Sequence, residues 1–488
     1  MMTLAPSRLR SAIAGAALLS ACSPVPDLGP APDLRSVGSI AADRTLAPAT
    51  AAAAAWPATQ WWTAYGDPQL SRLIEEGLAG APDLRAAAAR LRAAGGYVQQ
   101  AGAARLPTLD ARGTVGVAKQ SYNNGIPAEF LPRGWQDTGQ VAASLNFDLD
   151  LWGRNRAALA AQVSEEQAAR IEVAQAALVL STNIAAAYAD LASLGALRRV
   201  QQSAFEVRSR TETLVSQRVA SGLDTQAERR QALAAVPSAR ADIAATDEQI
   251  GLTRNRIAAL LGQGPDRGTA IAVPQAPVLA QGLPADVTTA LIGRRPDVAA
   301  ARARAEAAAS RIKVARADFY PALNLSALVG LQSLGLNRLI ESDSTYGNAG
   351  PALSLPIFRG GELQGRYRTR RAEYDEAVAN YDRTVVDAYR EVADAVTSRR
   401  SLAVRLDDTR RALADSEAAY AIAQQRFRGG LSSFIDVLSA EDRVLVARRS
   451  AADLEARAFT LDVALVRALG GGFNDRGTAA LTGNNGNG

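Results

Sequence analysis

The chain has 488 residues, of which 48% are hydrophobic and only 5% are aromatic, and its formal net charge is +5. It contains no histidine and a single cysteine, which excludes a Ser-His-Asp catalytic site and leaves no second cysteine for a disulfide. The basic residues are spread along the chain rather than gathered in a tail, so no nucleic-acid partner is expected. We therefore predict that the protein is not an enzyme and that it holds no cofactor and no metal.

The N-terminus has the pattern of a secretory signal. Arg8 and Arg10 precede an apolar run at 12–19, which is too short to cross a membrane as a helix. Four residues at its end resemble a bacterial lipobox: Leu19, Ser20, Ala21 and Cys22. The resemblance implies that residues 1–21 are removed and that Cys22 carries lipid, whereas an ordinary signal with an incidental cysteine is the alternative.

The segment after the signal predicts how the chain is anchored. Residues 22–60 are rich in proline and alanine and show no periodicity, so we predict an extended, lipidated tether. Several acyl chains on Cys22 would hold this end firmly in a bilayer. Ser23 follows the lipidation site, and in Gram-negative lipoproteins a serine here favours the outer membrane. The predicted location is therefore the outer membrane, with the rest of the chain extending into the periplasm.

Two halves of the chain repeat one pattern. Residues 82–116 and 296–330 share their Ala/Arg-rich run and their Pro, Leu and Gly landmarks at a constant offset of 214 residues. A second match, RVASGL at 218–223 and RFRGGL at 426–431, has an offset of 208 residues. Internal repeats of this kind indicate a duplicated structural unit. We predict a first repeat at 61–270, a second at 271–472, and a disordered tail at 473–488.

Each repeat contains two segments with the alternation of β-strands. The first hairpin is predicted at about 108–151 and the second at about 322–357, each with one apolar and one polar face. The last strand is predicted to carry its apolar face on three residues: Leu353, Leu355 and Ile357. Strands of about ten residues are long enough to cross a bilayer when tilted. An ordinary half-buried hairpin of a soluble protein is the alternative.

Long helices follow each predicted hairpin. Apolar residues spaced alternately four and three apart form two heptad seams: Val173, Ala177, Leu180, Ile184, Ala187, Leu191 and Leu194, and Tyr381, Val385, Ala388, Val392 and Ala395. Each long helix is predicted to reverse at a glycine, Gly222 or Gly430, and to be followed by a returning helix. The helical hairpins are predicted at about 153–261 and about 361–469.

The predicted elements form an α+β membrane protein that one chain cannot complete. Four strands cannot close a barrel, and a bilayer tolerates no open sheet edge. Three copies would supply twelve strands, which lies within the known range of outer-membrane barrels. We therefore predict a trimeric twelve-stranded barrel, four strands per chain, continuous with a long periplasmic α-helical barrel and built from an internal tandem repeat.

Four longer stretches resemble the outer-membrane factor (TolC-like) family of tripartite efflux systems, and with the lipobox they favour its OprM/NodT-type lipoprotein branch. The stretches are WWTAYGDPQLSRLIEEGL, RRPDVAAARARAEAAASRIKVARADFYPALNLSALVG, LSLPIFRGGEL and RFRGGLSSFIDVLSAEDRVL. The resemblance implies a homotrimer in outer-membrane lipid, a periplasmic adaptor, an inner-membrane RND-type transporter, and passive exit of small molecules such as drugs. The alternatives are the duct of a type I protein secretion system and a coiled-coil lipoprotein without a pore.

The resemblance also implies roles for five residues. Asp436, within Ile435-Asp436-Val437-Leu438, matches an acidic position at the periplasmic gate of the family, although the further acid of some members is Ser439 here. Three copies of Asp436 would form a carboxylate ring that favours cations; a solvated helix charge is the alternative. The adaptor-contact tips are predicted at Gly222, Leu223, Gly430 and Leu431, where turn geometry alone is the alternative.

Overall fold

The structure, a computed structural model, describes residues 25–36, 40–46, 56–123, 125–274 and 294–474. The signal, the lipobox with Cys22 and the predicted tail beyond residue 474 lie outside these ranges. The described chain has four strands: β1 at Thr108–Ala118, β2 at Gln136–Asp148, β3 at Ala322–Leu334 and β4 at Thr345–Ser354. Its longer helices are α1 at Pro68–Gly80, α2 at Pro82–Ala103, α3 at Arg154–Ala220, α4 at Gln226–Leu260, α5 at Pro296–Ala317, α6 at Glu362–Arg428 and α7 at Phe434–Ala468.

Six of these helices form three pairs of equal length, as a duplicated sequence predicts. Both α2 and α5 have 22 residues, both α3 and α6 have 67, and both α4 and α7 have 35. Two compact units are formed, and each draws on both sequence repeats. The sheet unit includes Leu91–Ala168 and Ala301–Asn380, and the helical unit includes Ala169–Ala300 and the chain from Tyr381 onward.

The sheet unit contains all four strands in the order β1-β2-β3-β4, and every neighbouring pair is antiparallel. Directly paired residues lie on the same face of a sheet. Gln140 on β2 pairs with Thr114 on one side and Gln332 on the other, within the polar face. Leu145 pairs with Leu109 and Ala327 within the apolar face. The register therefore separates polar from apolar side chains across the sheet, and the large apolar ones stay exposed in the single chain.

The last strand is shorter than its alternation predicts. β4 ends at Ser354, so Leu355 and Ile357 follow the strand instead of belonging to it. Pro356 lies between them and has no N–H to donate, which ends ladder pairing at this point. Two glycines with positive φ, Gly360 and Gly361, then lead into α6.

The helical unit has its core along the predicted seams. Leu180, Ile184 and Leu191 of α3 are buried, as are Val385 and Val392 of α6. The seam of α3 joins a cluster that includes residues before α1 and at the end of α4, among them Trp61, Ile257 and Leu261. Among the described residues, α3 alone is long and apolar enough to pass as a membrane span, and just over half of its apolar window is buried. We interpret α3 as a core helix on that ground.

Candidate functional site

The turn between α3 and α4 contains the first pair of predicted tip residues. Gly222 has φ +73°, a conformation that glycine adopts without the strain of a Cβ. Its N–H donates to the carbonyl of Val219 at 3.0 Å, and the N–H of Leu223 donates to the carbonyl of Arg218 at 2.9 Å. These two bonds are those of a Schellman motif, which satisfies the last carbonyls of a helix and reverses the chain. The Leu223 side chain that follows is 66% exposed.

The turn between α6 and α7 has the same backbone. Gly430 has φ +74°, and its N–H donates to the carbonyl of Phe427 at 3.0 Å. The N–H of Leu431 donates to the carbonyl of Arg426 at 2.8 Å, and its side chain is 72% exposed. We call residues 218–228 the first tip turn and residues 426–436 the second tip turn.

Each returning helix begins with a capping box that contains an acidic residue. At the first tip turn, a Glu228 carboxylate oxygen accepts from the Thr225 N–H at 2.7 Å, while the Glu228 N–H donates to the Thr225 hydroxyl at 3.3 Å. At the second, an Asp436 oxygen accepts from the Ser433 N–H at 3.0 Å and from its hydroxyl at 2.9 Å. A negative charge in the first turn also interacts favourably with the helix dipole. Asp436, the predicted gate residue, therefore has a local structural role and remains exposed.

An ion pair closes the first tip turn. The Arg218 guanidinium donates to both carboxylate oxygens of Asp224, at 2.8 and 3.0 Å, and the Asp224 side chain is almost fully buried. The same guanidinium lies 4.7 Å from the ring centroid of Phe427, which belongs to the second tip turn. Bidentate pairs and cation–π contacts of this kind favour one fixed geometry. The two tip turns are therefore joined directly through Arg218.

Among the described residues, the second tip turn has no equivalent ion pair. The counterparts of Arg218 and Asp224, at an offset of 208 residues, are Arg426 and Ser432. The Ser432 hydroxyl is buried and has no hydrogen-bond partner among the described residues. Arg426 is exposed, and its guanidinium donates to the carbonyl of Leu431 at 3.5 Å. This turn is held mainly by its backbone bonds and by an apolar cluster that includes Phe427, Phe434 and Val437.

A buried ion pair lies between α3 and α7. The Arg208 guanidinium donates to Glu441 at 3.0 Å and to Asp442 at 3.3 Å, and the Glu441 side chain is only 4% exposed. Burial raises the pKa of the Glu441 carboxyl, and Arg208 opposes that shift. Burial, followed by the nearby Glu441 charge, raises the pKa of Tyr420 to about 12.

The structure brings together all five residues that the family resemblance assigned to the gate and the tips. Gly222, Leu223, Gly430, Leu431 and Asp436 lie on the two adjoining tip turns of the helical unit. Their roles in gating and adaptor contact stay predictions. The lipobox residues and Cys22 lie outside the described ranges.

Sequence reasoning missed the side chains that hold the tip turns and the helices next to them. The residues concerned are Arg218, Asp224, Glu228, Arg208 and Glu441. Glu228 could have been found, because it is the counterpart of Asp436 at the offset of 208 residues and follows Thr225 in capping-box spacing. Arg208 and Glu441 are far apart in sequence and have no local signal.

Comparison with known proteins places these features in one family. A family model described as "Outer membrane efflux protein" matches residues 73–263 and 288–471. The multidrug resistance outer membrane protein MdtP of Escherichia coli is 30% identical over 436 residues, which cover 86% of this chain and 88% of MdtP. The fusaric acid resistance protein FusA of Burkholderia cepacia is 36% identical over 320 residues, which cover 64% of this chain and 59% of FusA.

A solved structure agrees with this match. The crystal structure of the outer membrane protein VceC of Vibrio cholerae superposes with a TM-score of 0.82 and 42% identity, covering 86% of this chain and all of VceC. The predicted fold class, a trimeric outer-membrane barrel continuous with a helical barrel and built from a tandem repeat, is thereby confirmed. The chain belongs to the outer membrane efflux protein family, whose members are export channels of the outer membrane.

Proposed function

We propose that this chain is the exit duct for small molecules in a tripartite export system driven by an RND-type transporter of the inner membrane. The observation that carries the proposal is the register of the sheet, which leaves one face apolar and the other polar. An apolar outer face suits lipid, and a polar inner face suits a water-filled lumen. The relatives named for multidrug and fusaric acid resistance support small molecules as the cargo. The duct performs no chemistry of its own.

The periplasmic opening of the duct is proposed to lie at the tip turns. Asp436 is exposed, and only one of its carboxylate oxygens is engaged by the capping box. In a trimer, three copies would place a ring of negative charge at the constriction and favour cations there. Glu228 occupies the equivalent place in the first tip turn, so each chain brings two capping carboxylates to this end.

The exposed leucines of the tip turns are the proposed contact for a periplasmic adaptor. Leu223 and Leu431 each follow a glycine that reverses the chain, so their side chains lie at the ends of the helical hairpins. Exposed apolar side chains at such positions are available to a partner protein. Lipid on Cys22 is the proposed anchor, and mass spectrometry of the mature protein tests it. The mass of wild type should include the attached acyl chains, whereas the Cys22→Ala variant should lack them.

Single-channel recording in planar bilayers tests the duct and its gate together. Wild type is compared with Asp436→Ala and with Asp436→Asn, because asparagine removes the charge while it keeps an acceptor for the cap. We expect both Asp436 variants to conduct with reduced cation selectivity. Glu228→Gln is the matched variant, because it neutralises the capping carboxylate of the other tip turn. If neither wild type nor any variant conducts, the duct is refuted in favour of a pore-less scaffold. If all conduct identically, the duct stands and the gate assignment to Asp436 is wrong.

A further inference from the structure

A cavity of about 260 Å³ lies at the end of the sheet from which the two long helices leave. Its walls come from the loop between β2 and α3, from the junction of α5 with β3, and from the loop between β4 and α6. All three segments belong to the sheet unit. Because the helical barrel of this fold extends into the periplasm, the cavity lies at the level of the headgroups of the periplasmic leaflet.

Exposed apolar side chains border the cavity. Leu151 and Trp152 line it, and each is more than half exposed. Ile357 and Phe358 lie between two lining residues of the other loop and are also exposed, Phe358 by 87%. Aromatic residues are enriched where a membrane protein passes from the acyl chains to the headgroups. These side chains are therefore placed to contact the acyl chains and glycerol of a lipid.

The ring of Trp152 is held in place by the chain itself. Its indole N–H donates to the carbonyl of Pro321 at 2.8 Å. The ring stacks on Tyr320, with centroids 4.7 Å apart and an interplanar angle of 22°. One wall of the cavity is thus fixed before any ligand binds, which lowers the entropic cost of binding.

The charged side chains of the cavity are unequally paired. Asp318 accepts from Arg366 at 3.0 Å and lies 3.5 Å from Arg154. Glu362 also pairs with Arg366, at 2.5 Å. Arg359 lines the same cavity and has no acidic partner among the described residues. A guanidinium is therefore available there to an anion from outside the chain.

The duplication shows that the second repeat lacks a negative charge at this place. In the first repeat, Asp148 and Asp150 lie beside the loop that leads into α3, and Asp150 accepts from the N–H of Asn155 at 2.8 Å. Their counterparts at the offset of 208 residues are Pro356 and Phe358. The loop before α6 thus has no acid, and its one arginine adds positive charge where the first repeat has negative charge.

We propose that this cavity binds a glycerophospholipid of the periplasmic leaflet. The phosphate diester lies between Arg359 and Arg154, since guanidinium groups match the geometry of phosphate oxygens. The acyl chains run along Trp152 and Phe358. A lipid that binds only the folded channel stabilises it by mass action. The inference rests on the outer-membrane barrel of the family and not on the proposed export function, so either can fail without the other.

Native mass spectrometry of the full-length protein, released from detergent, tests the site. Phosphatidylglycerol is the probe. Diacylglycerol with the same acyl chains lacks the phosphate, and inorganic phosphate lacks the chains. Arg359→Gln removes the charge that is free in the cavity, and Arg359→Lys keeps it. The matched control is Arg338→Gln, which changes an exposed arginine between β3 and β4, at the other end of the sheet.

We expect each wild-type subunit to bind one phosphatidylglycerol, and Arg359→Gln to raise the dissociation constant about tenfold, because a charge-assisted hydrogen bond to phosphate is lost. Arg359→Lys should regain part of this affinity, and Arg338→Gln should bind like wild type. Equal losses in Arg359→Gln and Arg338→Gln overturn the site, as does equal binding of diacylglycerol. If millimolar inorganic phosphate displaces the lipid, the site binds a free anion and the lipid assignment is wrong.

The same samples separate this inference from the export function. The spectra show whether each variant is an intact trimer. Single-channel conductance of Arg359→Gln should equal that of wild type, because the bound lipid takes no part in the pore. A wild-type protein that conducts but binds no phosphatidylglycerol overturns the lipid site alone, whereas one that binds the lipid and does not conduct overturns the duct alone.

Discussion

The two tip turns have the same backbone and different side chains. Both reverse at a glycine with nearly equal φ, +73° and +74°, and both start the returning helix with a capping box. The first is closed by an ion pair, between Arg218 and a buried Asp224. The second has a buried Ser432 hydroxyl without a partner among the described residues. The duplication therefore preserves the backbone of the turn, while the side chains set how firmly each turn is held.

The largest expected difference between the two turns is the loss of stability when the arginine of each turn is replaced by alanine. Arg218→Ala leaves the Asp224 carboxylate buried without its counter-ion, and breaking a buried pair in this way costs about 3 kcal/mol. Arg426→Ala, the matched variant, removes an exposed side chain and should cost less than about 0.5 kcal/mol. Hydrogen exchange of the backbone amides measures both: protection should fall at residues 218–228 in the first variant only. If Arg426→Ala lowered protection at residues 426–436 as much as Arg218→Ala lowers it at residues 218–228, the ion pair would not distinguish the two turns.

Substitution of the glycines should instead affect the two turns equally. Gly222→Ala and Gly430→Ala each force a Cβ into the left-handed region, at a cost of about 1–2 kcal/mol. No atom lies within 4 Å of the position that either Cβ would take, so conformational strain is the whole effect. Thermal unfolding followed by circular dichroism should show the same loss for both variants. A difference of more than about 1 kcal/mol would mean that side-chain contacts, and not the backbone, hold one of the turns.

Two neighbouring serines in the second tip turn should respond with opposite sign to the same change. Ser432→Ala removes a buried hydroxyl without a partner and should stabilise the helical unit by about 1 kcal/mol. Ser433→Ala removes the cap of α7 and should destabilise it by about 1 kcal/mol. Because each variant loses one hydroxyl, each serves as the control for the other. If both melting temperatures moved in the same direction, the Ser432 hydroxyl would not be a buried group that lacks a hydrogen bond.

The sequence predicts the parts of this fold that local chemistry decides. The alternation through Gln140 and Leu145 predicts both faces of β2, because successive side chains of a strand point to opposite sides. Gly222 and Gly430 predict the two reversals, because glycine suits positive φ. The end of β4 at Ser354 was missed, since the apolar alternation continues past Pro356 while the ladder does not.

Contacts between distant segments are beyond such reasoning. Helices α2 and α5 repeat one sequence pattern, yet Ala87 is the one buried residue of α2 whereas many residues of α5 are buried, since burial depends on which elements lie alongside. Asp224 follows Arg218 by six residues across a reversal, and Phe427 comes from the other repeat. Only the three-dimensional arrangement makes these three residues neighbours.

A further difference between the repeats involves charge. The second returning helix has Glu441 where the first has Leu233, at the offset of 208 residues. Glu441 faces Arg208 from α3, with Asp442 beside it and Tyr420 of α6 nearby. The asymmetry therefore extends beyond the turns into the helices, where one repeat has a buried ion pair and the other an apolar side chain.

The raised pKa of Glu441 predicts a small dependence of stability on pH. A carboxyl whose pKa is higher in the folded than in the unfolded state binds its proton more tightly when folded. The contribution of Glu441 to the free energy of unfolding is therefore fully present below the ordinary glutamate pKa and is lost as pH rises through the raised pKa. Glu441→Gln cannot titrate, so the melting temperature of wild type should decline relative to this variant as pH rises from about 4 to 7. If the melting temperatures of wild type and Glu441→Gln changed in parallel with pH over this range, Arg208 would offset the cost of burying the charge. A buried Glu441 in the second repeat would then be no less stable than Leu233 is in the first.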